Sequence, residues 1–170
     1  FCYSDKIKNF PNKFKDKISI IPALLRREFY NMKKNEKINR NVDLLIIGGS
    51  QGAKSFDVIV RDSIIGLSKK YQLKIYQQTN QKNFKILKIF YQRNKIEHEL
   101  FDFNEDISVI MNKASICLTR AGASTLAELV FLNLPHLAIP LLTAKDNHQF
   151  ENAFFYNQFG CNWILNQNEI

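Results

Sequence analysis

An apolar run that ends in glycines, VDLLIIGG at residues 42–49, limits the folds that this chain can adopt. A run of this kind predicts a strand that is buried on both faces, as in a parallel sheet. Further along, the apolar residues recur at the spacing of one helical face: Phe56, Ile59, Val60, Ile64 and Leu67. The segment therefore predicts a strand, a glycine-rich turn and a helix in succession.

The alternation of strand and helix continues along the rest of the sequence. Further strands are predicted at residues 73–78, 96–103, 115–119, 136–140 and 161–165, and helices at 81–92, 106–114, 125–132 and 146–158. This order predicts an α/β fold, a Rossmann-like doubly wound parallel sheet with right-handed crossovers. Ligands of such sheets lie where strands end and helices begin. Three loops meet this condition, at residues 48–53, 120–124 and 141–147.

The composition excludes several classes of protein. With 170 residues, 45% of them hydrophobic, the chain can form one domain with a sizeable core, and no apolar run is long enough to span a bilayer. Cys2, Cys117 and Cys161 fit no metal-ligand spacing and favour a reducing compartment, with Cys117 and Cys161 in the core. The net charge of +8 fits either a solvated basic surface or an attraction to phosphates and anionic lipids. No nucleic-acid partner is expected, because no basic–aromatic cluster of a known binding module is present.

The first loop, GGSQGAKS at residues 48–55, is suited to an anion. Glycines at the entrance of a helix let a phosphate approach backbone N–H groups, and the Ser50 hydroxyl can donate to it. A nicotinamide dinucleotide is disfavoured because the spacing is G-G-x-x-G and no acidic residue lies between Ser63 and Ile96. A nucleoside triphosphate is disfavoured because Ala53 replaces the second glycine of the P-loop pattern. A sugar nucleotide and an unoccupied tight turn remain open.

The second and third loops each allow two interpretations. In TRAGASTLAE, Gly122 lies at another strand-to-helix entrance, which is a second cradle for an anion. Thr125 and Glu128 have the spacing of a capping box, but Glu128 could equally accept hydrogen bonds from ribose hydroxyls. In the third loop Asp146 is predicted as a helix N-cap, and Gln149 and Asn152 share one helical face. Their amides suit either sugar hydroxyls or an ordinary solvated surface.

Taken together and in this order, GGSQGA, TRAGASTLAEL and LPHLAIPLLTAKDNHQFENA resemble the carboxyl-terminal half of the MurG-type glycosyltransferases of bacterial cell-wall synthesis. The resemblance implies the donor-binding half of a GT-B fold, with UDP-N-acetylglucosamine as donor and lipid I as acceptor. It implies a peripheral enzyme at the cytoplasmic face of the inner membrane, without cofactor or metal. Residues 1–40 would end the amino-terminal domain and form the linker, and residues 41–170 would form the donor domain. The catalytic base is expected in the amino-terminal acceptor domain, outside these residues.

The resemblance also implies roles for individual residues. Ser50 and Gly49 would meet the diphosphate, Glu128 the ribose, and Gln149 and Asn152 the N-acetylglucosamine. Asn104 would meet the uracil through its backbone. An interdomain arginine would be Arg26 or Arg27. The diphosphate would also contact the start of the helix that follows the second loop. The contacts would be made by the backbone amides of Ala123, Ser124, Thr125 and Leu126, with Ala127 beside them.

Two other functions are compatible with the same residues. The chain could be the stand-alone cytosolic subunit of a dolichol-type N-acetylglucosamine transferase, paired with a separate membrane subunit. It could also be a non-catalytic module that binds a sugar nucleotide. Because the sequence begins with Phe1 and not with a methionine, we expect a piece of a longer transferase. All three interpretations require that the first two loops lie together at one edge of the sheet.

Overall fold

The chain folds around one parallel sheet. The computed structural model describes residues 3, 10–32, 41–48, 55–141, 144, 147–160 and 162–169. The strands among them are β1 Val42–Ile47, β2 Leu73–Gln78, β3 Glu97–Phe101, β4 Ile116–Thr119, β5 His136–Ala138 and β6 Asn162–Ile164. Their order is β3-β2-β1-β4-β5-β6, and each neighbouring pair is parallel. The predicted doubly wound parallel sheet is therefore confirmed.

Helices cover both faces of the sheet. The α-helices are α1 Arg27–Tyr30, α2 Arg61–Ser68, α3 Gln81–Arg93, α4 Ile107–Lys113, α5 Ala123–Phe131 and α6 His148–Asn157. Helical residues 55–59 and the single turn residue 60 precede α2. Short 3-10 helices occupy Asn12–Lys17 and Gln167–Glu169. From β1 to β6 the order of elements is as predicted, with differences at their ends: α5, for example, begins two residues earlier, and β5 ends two residues sooner. The helix α1 and the two 3-10 helices were not predicted.

Two apolar layers form because successive strand residues point to opposite faces. Leu45 and Cys117 face one layer, together with Leu126 and Leu129 of α5. Leu44 and Ile46 face the other, together with Phe56 and Ile64 from the helix that follows β1. Cys117 fills core volume as predicted, and burial raises the pKa of its thiol. Cys2 and Cys161 lie outside the described residues.

Two predictions about helices differ in detail from the structure. Phe56, Val60 and Ile64 are buried, whereas Leu67, one turn later, is 39% exposed, so the predicted apolar face is correct only over its first turns. The N-cap of α6 is Asn147, in a left-handed conformation with φ 54°. Asp146, the predicted N-cap, lies outside the described residues.

The segment before the sheet packs against α5. The Phe29 side chain is fully buried in the same apolar layer as Leu126 and Leu129. The Tyr30 ring meets the edge of the Phe131 ring with their centroids 5.9 Å apart. Residues 20–32 are thereby held beside the helix that carries Glu128. None of the helices in the described part of the chain combines the length and the apolar character needed to cross a membrane.

Candidate functional site

The carboxyl ends of β1 and β4 lie side by side at one edge of the sheet. Ile47 pairs with Thr119 in the parallel register, and the Arg120 N–H donates to the Ile47 carbonyl at 3.2 Å. The loops that leave these two strands therefore start about one strand spacing, about 4.8 Å, apart. Gly48 is buried at the end of β1. Gly49 and Ser50 lie outside the described residues, and their predicted contacts stay predictions.

The second loop leads directly into the first turn of α5. Gly122 is the N-cap, and no side chain caps this helix end. As the first three helical residues, Ala123, Ser124 and Thr125 have N–H groups that cannot be bonded within the helix. Such groups, together with the helix dipole, favour an anion at this end.

This geometry corrects two parts of the sequence interpretation. The capping box is wrong, because the N-cap is Gly122 and Thr125 lies inside the helix. The Leu126 N–H donates to the Gly122 carbonyl at 3.0 Å, so the helix itself uses that amide. The Leu126 and Ala127 side chains are buried in the core. Only the amides of residues 123–125 remain as candidate anion donors at this helix end.

Arg120 connects three elements at the sheet edge and was not predicted as a site residue. Its guanidinium donates to the Ile139 carbonyl at 3.0 Å and to the Ser55 hydroxyl, and it lies 4.6 Å from the centre of the Phe56 ring. Only 3% of the residue is exposed, and burial lowers its pKa. Its Nε atom is buried and has no hydrogen-bond partner among the described residues. The sequence could have indicated this residue, because it places an arginine directly after a buried strand. Burying a cation there is unfavourable unless the cation is paired or binds a ligand.

Asp57 fixes the other side of the helix that follows the first loop. Its buried carboxylate accepts hydrogen bonds from Gln77 at 2.8 Å, from Thr79 at 2.7 Å and from Asn83 at 2.7 Å. The Tyr91 hydroxyl in turn donates to Gln77. The helical turn at residues 55–57 is thus anchored to the ends of β2, β4 and β5. The first loop connects this anchored turn to β1.

Glu128 forms a two-pronged ion pair with Arg26. Arg26 Nε lies 2.8 Å from Glu128 Oε1, and Arg26 Nη2 lies 2.9 Å from Oε2. Glu128 is 4% exposed, and these hydrogen bonds raise the pKa of Arg26. Arg26 makes this contact although its side chain is 42% exposed, and Arg27 is an exposed residue at the start of α1. Which of the two is the interdomain arginine stays a prediction.

The two amides of α6 both contact backbone at the same edge of the sheet. The Gln149 carbonyl oxygen accepts from the Leu141 N–H at 2.9 Å. The Asn152 amide donates to the Ala121 carbonyl at 3.1 Å. These bonds hold the start of α6 against the loops that follow β4 and β5. The two side chains lie on one helical face as predicted, and their sugar contacts stay a prediction.

Asn104 lies after β3, on the far side of β2 from the two loops. Its side-chain oxygen accepts from the Asp106 N–H at 2.8 Å and so stabilises the turn before α4. Gln78 donates to the Asp102 carbonyl at 3.1 Å, which ties this turn to the end of β2. Beside it, Phe103 is 80% exposed, an aromatic surface that sequence reasoning did not single out. Across the described residues, His, Cys, Asp and Glu form no group of three that could hold a metal ion.

Comparisons with known proteins agree with this arrangement. Residues 43–170 match the model of the glycosyltransferase family 28 C-terminal domain. A Pelagibacter ubique (strain HTCC1062) protein named UDP-N-acetylglucosamine--N-acetylmuramyl-(pentapeptide) pyrophosphoryl-undecaprenol N-acetylglucosamine transferase is 61% identical over all of this chain and 48% of its own length. A Rickettsia canadensis (strain McKiel) protein of the same name is 37% identical over 96% of the chain and 48% of its own length. The crystal structure of Acinetobacter baumannii MurG superposes with a TM-score of 0.71 and 26% identity, over 81% of this chain and 42% of that one. The chain thus spans about half the length of the curated relatives it matches.

Proposed function

Because this chain belongs to glycosyltransferase family 28, with the C-terminal domain at residues 43–170, we propose that it binds UDP-N-acetylglucosamine for transfer to a lipid-linked acceptor. The observation that carries the proposal is the adjacency of the carboxyl ends of β1 and β4, with Glu128 in the second turn of α5, the helix that follows β4. A diphosphate needs several N–H donors in one place, and a ribose diol needs a carboxylate nearby. The amides of residues 123–125 and the Glu128 carboxylate, both on α5, support this assignment.

The donor would lie across the carboxyl edge of the sheet. Ser50, Gly49 and the amides of residues 123–125 would hold the diphosphate, and Glu128 would accept hydrogen bonds from the ribose hydroxyls. The uracil would lie toward Asn104, where exposed Phe103 offers an aromatic face for a base. Since Gln149 uses its carbonyl oxygen and Asn152 its amide nitrogen, they would present a donor and an acceptor to the sugar.

The proposed reaction is an inverting displacement at the anomeric carbon. The acceptor hydroxyl oxygen attacks that carbon, the bond to the diphosphate oxygen breaks, and the hydroxyl proton passes to a base. The N-terminus of α5 and the buried Arg120 guanidinium would stabilise the negative charge that grows on the leaving UDP. The base would belong to the acceptor-binding half of the enzyme.

The names of the relatives supply the acceptor, which would be lipid I, that is, undecaprenyl-pyrophosphoryl-MurNAc-pentapeptide. The product would then be lipid II, and the enzyme would act as a peripheral protein at the cytoplasmic face of the bacterial inner membrane. Residues 1–40 would connect to the acceptor domain, in agreement with a family match that begins at residue 43. Sequencing the gene on both sides of this segment distinguishes a two-domain transferase from a stand-alone subunit.

Calorimetric titration of the purified chain with UDP tests the donor site. We expect saturable binding of UDP and UDP-N-acetylglucosamine, and weaker binding of ADP, because the proposed backbone contact at Asn104 would pair with the edge of the uracil ring and not with that of a purine. Equal binding of UDP and ADP would indicate a general phosphate site. An absence of saturable UDP binding would contradict the proposal.

Replacing Arg120 with methionine is expected to weaken UDP binding about tenfold. The variant loses a buried positive charge near the diphosphate, together with the hydrogen bonds that join Ser55 to the end of β5. Methionine fills a similar volume, so the apolar contact with Phe56 is largely kept. Calorimetry measures the affinity for UDP. The control is Arg93→Met, which removes one positive charge from an exposed position. If the two variants bind UDP with equal affinity, Arg120 does not contribute to the donor site.

A further inference from the structure

The outer face of α3 carries positive charge around two exposed isoleucines. Leu87 and Tyr91 pack in the core, each only 1% exposed, so the opposite side of the helix faces solvent. On that side Ile86 is 56% exposed and Ile89 is 40% exposed. The same side carries four exposed cations: Lys82, Lys85, Lys88 and Arg93. The outer face of α3, formed by these six solvent-facing residues, therefore combines charge with apolar side chains.

The six residues form one continuous surface along the helix. Residues three and four positions apart are neighbours on a helix, and one such stripe contains Lys82, Ile86, Ile89 and Arg93. Lys85 and Lys88 lie along one side of this stripe. At 1.5 Å per residue the stripe is about 16 Å long. This length allows several cations to contact the same partner at once.

The positive charge of this surface is not balanced by nearby carboxylates. The sequence has no acidic residue between Ser63 and Ile96. Glu97, which follows, has its carboxylate 2.6 Å from the Lys74 ammonium. In the part of the chain that the structure describes, none of the four cations of α3 forms an ion pair. Further exposed lysines at the ends of α2 and α3 add to the positive potential: Lys69, Lys70 and Lys95.

The exposed isoleucines distinguish between the possible anionic partners. A nucleic acid binds cations through its phosphates and gains little from apolar side chains placed among them. The surface of a bilayer rewards both kinds of side chain. Anionic headgroups attract lysine and arginine, and apolar side chains enter the boundary between the headgroups and the acyl chains. The combination on α3 therefore favours a lipid surface.

We propose that the outer face of α3 binds the surface of a membrane that contains anionic lipids. The four cations contact lipid phosphates, and Ile86 and Ile89 enter the headgroup boundary. The proposal takes from the proposed function only that the acceptor is lipid-linked. The surface lies on the opposite side of the sheet from α5, but α3 begins just after the carboxyl end of β2. A membrane on this surface thus reaches the same sheet edge as the candidate donor site.

Co-sedimentation of the purified chain with vesicles tests the surface. The chain is expected to bind vesicles that contain phosphatidylglycerol but not vesicles of phosphatidylcholine alone, and added salt should weaken the binding. Lys85→Gln/Lys88→Gln is expected to weaken the binding about thirtyfold, since each cation near an anionic surface contributes about fivefold. Ile86→Ser/Ile89→Ser keeps every charge and is expected to weaken it about tenfold through lost apolar burial.

The matched control is Lys15→Gln/Lys113→Gln, which removes two exposed positive charges from other elements. It is expected to change vesicle binding by less than about threefold, because charges away from the contact are screened by salt. Titration of the same variants with UDP reports on the donor site separately. We expect the affinity for UDP to be that of the wild type, so a failure of the lipid surface and a failure of the donor site give different results.

Three results would each overturn the proposal. The first is an absence of binding to vesicles that contain phosphatidylglycerol. The second is equal weakening by the α3 lysine variant and its control, which would mean that only the net charge matters. The third is wild-type vesicle binding by Ile86→Ser/Ile89→Ser, which would mean that no side chain enters the bilayer. If the α3 lysine variant then also loses affinity for a short DNA duplex, the surface is a nucleic-acid site instead.

Discussion

Replacing Glu128 with alanine is expected to weaken UDP binding about a hundredfold. Under the proposed function, the variant would lose two hydrogen bonds from ribose hydroxyls to a charged acceptor, each with a contribution of about 1.5 kcal/mol or more. It also leaves the Arg26 guanidinium without its carboxylate partner beside the nucleotide. Calorimetric titration of the purified chain with UDP measures the loss.

The control for this variant is Glu28→Ala. The Glu28 carboxylate also lies near Arg26, 3.7 Å from its Nε, but its side chain is 41% exposed and belongs to α1. Its interaction with Arg26 is partly screened by solvent, so we expect a change in affinity of less than twofold. Affinities within threefold of the wild type for Glu128→Ala would show that the ribose does not lie on this carboxylate. An intermediate affinity for Glu128→Gln would separate the role of the charge from that of the shape.

Replacing Asp57 with alanine is expected to lower the free energy of unfolding by about 3 kcal/mol. The carboxylate is 4% exposed and accepts hydrogen bonds from Gln77, Thr79 and Asn83. Without it, the buried donors of Gln77 and Thr79 at the end of β2 and the partly buried amide of Asn83 in α3 lose their acceptor, and each unsatisfied group costs about 1 kcal/mol or more. Urea unfolding, monitored by circular dichroism, measures the change. If only stability is affected, the dependence of the free energy of unfolding on urea concentration keeps the same slope.

Asp62→Ala is the matched control, because Asp62 is an exposed carboxylate of α2, the helix that continues from the same turn. Its removal is expected to change the free energy of unfolding by less than about 0.5 kcal/mol. Asp57→Asn should lie between the two, since asparagine keeps one acceptor oxygen. If Asp57→Ala and Asp62→Ala unfold at the same urea concentration, the network around Asp57 does not stabilise the fold.

Under the proposed function, the Asp57 and Arg120 contacts would fix the turn that follows the phosphate-binding loop. The turn at residues 55–57 is bonded to β2 through Asp57 and to β4 and β5 through the Arg120 side chain. A loop whose two ends are fixed loses less conformational freedom when it closes on an anion. The first loop starts from β1 and ends at this anchored turn.

The sequence by itself predicted the strands and helices from β1 to β6 and their order along the chain. Hydrophobic periodicity is a local property, so VDLLII and LKIYQQ could be assigned to strands with the bounds that the structure has. The parallel order then followed from the strand–helix alternation, and with it the edge where a ligand would bind. That inference needed no knowledge of which side chains meet.

Only the tertiary structure decided which side chains act together at that edge. The pairing of Arg26 with Glu128 joins two residues 102 positions apart, and no local pattern encodes such a contact. Because α5 begins at Ala123, its N-cap is Gly122, and Thr125 cannot form a capping box. For the same reason the Leu126 N–H is hydrogen-bonded within the helix, to the Gly122 carbonyl. Arg120 and Asp57 looked like ordinary polar residues near strand and helix ends, and only packing placed them in the interior. Periodicity fixes which face of an element is buried, whereas hydrogen-bond partners are chosen by how separate elements come together in space.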